Sequence, residues 1–199
     1  MTDQLDRAIE TQRNALEHLE PGNFSLREAL EESLFKYLEQ DHDYVAVEEV
    51  LRDGVSRYRA ALPKENARLA TSLTRLGRFL LEEERYAEAE PILRSCMEIQ
   101  KTDADKDDWR MSDTMSVLGE ALMGRQAYDE AEPLLIAAYD GLGTISGTPP
   151  DRLQQAHDRL KRLYQAMGRP DKIPPAPSGS GMGRPDKIPA APSMSGSGS

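Results

Sequence analysis

Leu73-Thr-Arg-Leu76-Gly77-Arg-Phe-Leu80 and, forty-two residues on, Met115-Ser-Val-Leu118-Gly119-Glu-Ala-Leu122 set apolar residues at the same spacing around a glycine. The echo continues without a gap: Tyr86, Ala89, Glu90, Pro91 and Leu93 return as Tyr128, Ala131, Glu132, Pro133 and Leu135. A fixed period of this length marks a repeat architecture. Leu69, Leu73, Leu76 and Leu80 are spaced 4, 3, 4, as are Met111, Met115, Leu118 and Leu122, and each set predicts one apolar stripe on a helix. Gly77 and Gly119 fall inside those stripes, where a hydrogen in place of a side chain lets the next helix come close. Tyr86, Ala89, Leu93 and Cys96 stripe a second helix, matched by Tyr128, Ala131, Leu135 and Ala138. Such a pair cannot bury its own apolar faces, so pairs must stack. The sequence predicts an all-α solenoid of stacked antiparallel helix pairs, about eight helices in all.

Leu73-x-x-Leu76-Gly77-x-x-Leu80 followed by Ala89-x-x-x-Leu93 resembles the tetratricopeptide signature, with leucine in the aromatic slots. The long period and Tyr-x-x-Ala-Glu-Pro resemble the 42-residue repeats of the kinesin light chain type. Asp107-Asp108-Trp109-Arg110, leading into Ser116-Val117-Leu118-Gly119 and Ala131-Glu132-Pro133-Leu134-Leu135, resembles the repeat tails that follow serine/threonine kinase domains in some bacteria. The likeness covers roughly residues 66–172. It implies a tetratricopeptide-type solenoid whose work is recognition. The chain has no Gly-rich phosphate loop, His-Arg-Asp or Asp-Phe-Gly, so no kinase activity is expected from it.

Residues 1–24 read as an N-terminal half-repeat helix ending at Pro21-Gly22. Residues 25–172 read as repeats closed by a capping helix, and residues 173–199 as a disordered tail rich in Pro, Gly and Ser. Ser25, three residues before Glu28, predicts a capping box for the second helix. This first repeat is blurred, because Glu31 falls in the Leu73 slot and Phe35 in the Gly77 slot. Pro63 suits the first position of the next helix, running to about Glu83. Gly141-Leu142-Gly143 and Gly147-Thr-Pro-Pro are expected to close the last full pair, and Leu153, His157, Leu160 and Tyr164 stripe the cap. The tail holds a second repeat: Met167-Gly-Arg-Pro-Asp-Lys-Ile-Pro-Pro-Ala-Pro recurs, fifteen residues on, as Met182-Gly-Arg-Pro-Asp-Lys-Ile-Pro-Ala-Ala-Pro.

The formal charge is −10, and the tail from Gly168 holds four basic residues against two acidic, which leaves −12 on residues 1–167. Phosphate backbones are repelled by such a body, so nucleic acid is not an expected partner. One cysteine excludes an internal disulfide, and no apolar stretch reaches the length of a membrane span. With no basic and apolar leader at Met1, a cytoplasmic location is expected.

For catalysis the three histidines are scattered, and no nucleophile–base set is implied. No catalytic residue, metal or cofactor is therefore expected. Asp41-His42-Asp43 offers three possible metal ligands, but it falls between helices where an aspartate caps the next one. His157 and Trp109 read as packing residues. Cys96, in the slot of Gly54 and Ala138, reads as a small buried hydrophobe.

The inner groove remains. In stacked repeats the first helix of each pair lines it, and its outward positions select the ligand. Counted from the glycines, these are Thr71, Thr74, Arg75 and Arg78, then Asp113, Ser116 and Glu120, then Gln155, Asp158 and Arg162, with Lys36 in the blurred repeat. Lys36, Arg78 and Arg162 share one slot, which Glu120 interrupts. The reading is a non-catalytic scaffold that holds a protein or peptide client, one carrying carboxylates. The alternative is a self-association module of a larger signalling assembly.

Overall fold

The computed structural model describes residues 2–20, 22–61, 67–102 and 108–177. Its elements are helical: α1 (Thr2–Glu17), α2 (Phe24–Asp41), α3 (Tyr44–Ala61), α4 (Ala67–Glu82), α5 (Tyr86–Thr102), α6 (Trp109–Gly124), α7 (Tyr128–Thr144) and α8 (Pro150–Ala166), with a single 3-10 turn at Pro170–Lys172. There is no strand among the described residues. None of their helices is long and apolar enough to cross a membrane. The helices gather in two compact units, residues 1–64 and 65–199.

In the first unit α2 packs on both α1 and α3. Its core is Ile9, Leu34, Leu38, Val47, Leu51, Val55 and Tyr58, with the Phe24 and Tyr58 rings 6.0 Å apart. Glu31, the polar residue in a leucine slot, reaches Arg57 at 3.7 Å, which explains how a blurred repeat tolerates it. Helix α2 takes its cap two residues earlier than expected. Asn23 Oδ1 accepts from Leu26 N, so Asn23 is the cap and Ser25 lies in the first turn. An asparagine ahead of the first turn accepts from one of the amides that a helix start leaves open.

In the second unit each helix packs on the next, and α4, α6 and α8 also touch along one side. The close approach expected at the glycines is present in both repeats. A Cβ on Gly77 would meet Leu93 Cδ2 at 2.5 Å, and one on Gly119 would meet Leu135 Cγ at 2.5 Å. Gly141 does not end α7. The helix runs through it to Thr144, and a Cβ there would strike Ser112 Oγ, so this glycine too serves close packing.

One turn recurs at the forty-two-residue shift. His42, Glu84, Gln126 and Gly168 all have positive φ, at 59°, 56°, 62° and 67°. In each case the following amide reaches back five residues, as Asp43 N to Leu38 O at 3.1 Å and Ala127 N to Leu122 O at 2.9 Å. This is the Schellman arrangement, which satisfies carbonyls that a helix end leaves open. The blurred repeat therefore keeps its register. Asp43 Oδ1 accepts from Ala46 N at 3.0 Å, which gives Asp41-His42-Asp43 its turn role. The expectation for Pro63 lies outside the described residues.

Residues 173–175, placed beyond the expected start of the tail, lie against α7 and α8. Pro174 is buried, His157 Nε2 donates to its carbonyl at 3.0 Å, and Tyr139 Oη donates to Pro175 O at 3.1 Å. Composition marks Pro-rich segments as unable to fold alone, yet a proline carbonyl remains a full acceptor for a neighbouring surface. The second copy of the tail motif lies outside the described residues.

Cys96 is fully buried, with Sγ 3.2 Å from Ala70 O and 3.2 Å from Thr74 Oγ1, and burial pushes its thiol pKa up. Replacing Cys96 with Ala, the residue at the equivalent position 138, should cost no more than about 1 kcal/mol. Cys96→Phe should cost about 1–3 kcal/mol through overpacking. Urea unfolding of the two variants checks this, and equal tolerance would show the slot to be loose.

Candidate functional site

The inner face of the second unit is built from α4, α6 and α8, the first helix of each successive pair. At its α4–α6 end lies a cleft of about 250 Å³. Helix α4 lines it with Ala67, Ala70, Thr71, Thr74, Arg75 and Arg78. The end of α5 adds Ile99 and Gln100, and the start of α6 adds Asp108, Trp109, Arg110, Asp113 and Thr114. Arg152 enters from α8. Four arginines thus face two aspartates around a part-apolar hollow. Asp108 caps α6, accepting from Arg110 N at 2.9 Å, and that cap sets Trp109 on the rim. The Arg110 guanidinium stands 5.4 Å from the centre of the Trp109 ring.

Below the cleft the face is tied by ion pairs. Arg78 Nη2 donates to both carboxylate oxygens of Asp113 at 2.6 Å, and Arg78 Nη1 reaches Gln155 Oε1 at 3.5 Å. Arg159 Nε donates to Glu120 Oε2 at 2.5 Å, its Nη1 donates to Ser116 Oγ at 3.2 Å, and Arg162 also pairs with Glu120. These groups border a second hollow of about 290 Å³, lined by Arg78, Leu81, Glu82, Glu120, Gln155 and Arg159. Burial alone would raise the Glu120 pKa, but the charges and hydrogen bonds of Arg159 and Arg162 outweigh it and hold the carboxyl below its usual range. Burial lowers the Arg159 pKa, against the pull of Glu120.

Five expected site residues, Thr71, Thr74, Arg75, Arg78 and Asp113, meet in the cleft. The others do not. Glu120 lies in the second hollow, and Ser116 is fully buried beneath Arg159. Asp158 is exposed and accepts from Gln154 at 3.0 Å. Arg162 is exposed in its pair with Glu120, while Lys36 sits in the first unit beside Glu32 at 3.5 Å. The slot read as a row of cations broken by Glu120 is therefore not an unpaired positive strip. Glu120 is the partner that two arginines of α8 require, and Arg78 is matched by Asp113.

Arg110, Arg152 and Arg159 were not among the expected site residues, and for Trp109 the sequence favours packing over a role as ligand anchor. A signal for the first two stands in the chain: Arg68, Arg110 and Arg152 recur at the forty-two-residue shift. Arg75 and Arg159 are likewise two periods apart, with Val117 between them. The first unit has a hollow of about 480 Å³, but its wall includes Arg27, which already donates to Leu16 O and Leu19 O at the end of α1.

This geometry defines a class: a helical-repeat protein whose usable surface is the inner face of stacked pairs. Residues 69–102 match the family model of the tetratricopeptide repeat. By fold the chain is a tetratricopeptide-type solenoid, similar to solved repeats of kinesin light chain type. A Podosopora anserina putative kinesin light chain with nearly identical TPR-like repeats aligns at TM-score 0.65 and 20% identity, over 86% of this chain and 83% of that one. A singly substituted form of the same protein aligns at 0.66 and 19%, over 86% and 82%. BtubC (BKLC) from P. vanneervenii aligns at 0.54 and 16%, over 86% and 84%. No curated protein matches the chain.

Glu120→Gln should destabilise the second unit by about 1–2 kcal/mol at neutral pH, because Arg159 loses its anion while buried. A carboxyl whose pKa is lowered by folding contributes stability above its unfolded pKa, and that contribution is lost as pH falls through the folded value. The variant should therefore lose less stability than the parent between pH 7 and pH 3. Urea midpoints at the two pH values check both statements.

Proposed function

We propose that the chain is a non-catalytic scaffold that binds a protein client through the α4–α6 cleft, which seats one apolar side chain of an extended segment flanked by carboxylates. The observation that carries this reading is the convergence of Trp109 with Arg75, Arg78, Arg110 and Arg152 around one hollow. Trp109, Ile99 and Ala70 offer apolar contact, and an aromatic ring beside an arginine is a common anchor at interfaces. Thr71 and the amide of Gln100 supply neutral hydrogen bonding. Arg78 is matched by Asp113 and Arg110 by Asp108. The excess of four arginines over two aspartates in the lining favours an anionic segment although the chain is acidic overall, because local charge governs contact at the range of a salt-screened field, about 8–10 Å. Tetratricopeptide solenoids generally act through protein–protein contacts, which supports the same class of function.

Trp109 is the sole tryptophan, so its emission reports the cleft directly. On an array of synthetic peptides, the chain should retain segments that pair an aliphatic or aromatic residue with Asp or Glu. Such a peptide should shift Trp109 emission, and its affinity should fall as salt rises. Arg75→Glu should weaken it about fivefold, and Lys161→Glu, an equal charge change on an exposed part of α8, should leave it unchanged. Equal binding by both variants would remove the cleft from the proposal. Concentration-dependent dimers by light scattering, with no peptide retained, would favour self-association instead.

A further inference from the structure

The surface that α7 and α8 turn towards residues 167–177 holds a short sequence that the chain contains twice. Four side chains make that surface. Glu132 faces Arg169 Nη1 and Lys172 Nζ, each at 3.4 Å. Tyr164 lies under Lys172, whose Nζ is 6.0 Å from the ring centre. His157 and Tyr139 hold the carbonyls of Pro174 and Pro175. Between these contacts the 3-10 turn at Pro170–Lys172 brings both cations to one glutamate, with Ile173 N donating to Pro170 O at 3.2 Å. Ile173 itself is half-buried, between the paired Lys172 and the buried Pro174.

Every one of these contacts is available to the second copy. Arg184, Pro185, Asp186, Lys187, Ile188 and Pro189 repeat residues 169–174 in order. The one substitution within reach of the surface, Ala190 for Pro175, falls where the chain contributes only a backbone carbonyl, which alanine also carries. The first copy has one advantage that the second lacks. It is continuous with α8, and Arg169 N donates to Tyr164 O at 2.8 Å as part of the helix-ending turn. Seating the second copy in place of the first loops out residues 169–183, and the cost of closing such a loop grows only slowly with its length.

We propose that this α7–α8 surface is a sequence-specific docking site for Arg-Pro-Asp-Lys-Ile-Pro, held by residues 169–174 and taken over by residues 184–189 whenever the first copy is displaced. The chain thus carries two candidate occupants for one site. The inference stands on the docked first copy and is independent of the α4–α6 cleft.

The test is a set of full-length variants. Ile173→Asp should lower the melting temperature by less than about 2 °C, because the second copy replaces the first, and Ile188→Asp should leave it unchanged. The double variant should fall by about 3–6 °C, the shift expected when a chain of this size loses a docked segment. Adding the synthetic peptide Met182–Pro192 to the double variant should restore the lost degrees in a concentration-dependent way, as a ligand of the folded state does. The same peptide with aspartate in place of its isoleucine should not. If Ile173→Asp alone falls as far as the double variant, the second copy does not dock. If the double variant melts with the parent, or the peptide fails to rescue it, the surface does not read the motif.

Discussion

The second unit depends on two glycines having no side chain. Leu93 occupies the space that a Cβ on Gly77 would take, and Leu135 does the same at Gly119. Each contact sets how closely the two helices of a pair approach. That distance places Ala89, Cys96 and their counterparts Ala131 and Ala138 at zero exposure between the pairs. With the apolar stripes spent on this packing, the inner face is left to polar groups. They are buried too: Thr114 and Ser116 are fully covered and Asp113 is 6% exposed. A solenoid of this design buries hydroxyls and charges where it must also offer a binding surface, and Thr114, Ser116 and Asp113 each have a partner because an unmatched charge or hydroxyl is costly there.

What the sequence showed and what it hid divide along a physical line. Periodic features were legible. The stripes, the glycine approach, the small slot at Cys96 and the packing role of His157 each follow from one residue type recurring at one register. Features that depend on which of two competing groups wins were not. Asn23 takes the cap position that Ser25 was expected to hold, and Gly141 passes as a helix end until Ser112 is seen against it. The site was half legible for the same reason. Counting from Gly77 and Gly119 finds the inner-face positions, yet it cannot say that Arg78 pairs with Asp113 or that Glu120 is committed to Arg159.

The tail shows where composition misleads. Pro, Gly and Ser content argues against independent folding, and that holds as a statement about a segment alone. It says nothing of a segment laid on a finished surface, where His157 and Tyr139 supply donors and the proline carbonyls need them. The turn at Gly168 continues the series of His42, Glu84 and Gln126, so the chain leaves α8 by the exit that every earlier repeat uses. Pro170 then replaces the tyrosine that opens α5 and α7, and the helix that would follow gives way to a single 3-10 turn.

Arg78 reaches Asp113 on α6 and Gln155 on α8, so one side chain of the first pair touches the two that follow. In an ideal solenoid each unit meets only its immediate neighbours, and such a chain can melt from its ends inward, one step at a time. A bond that skips a unit works against that freedom, because loosening α8 also withdraws a partner from α4. The two ends of the second unit are thereby tied to each other directly as well as through the helices between them.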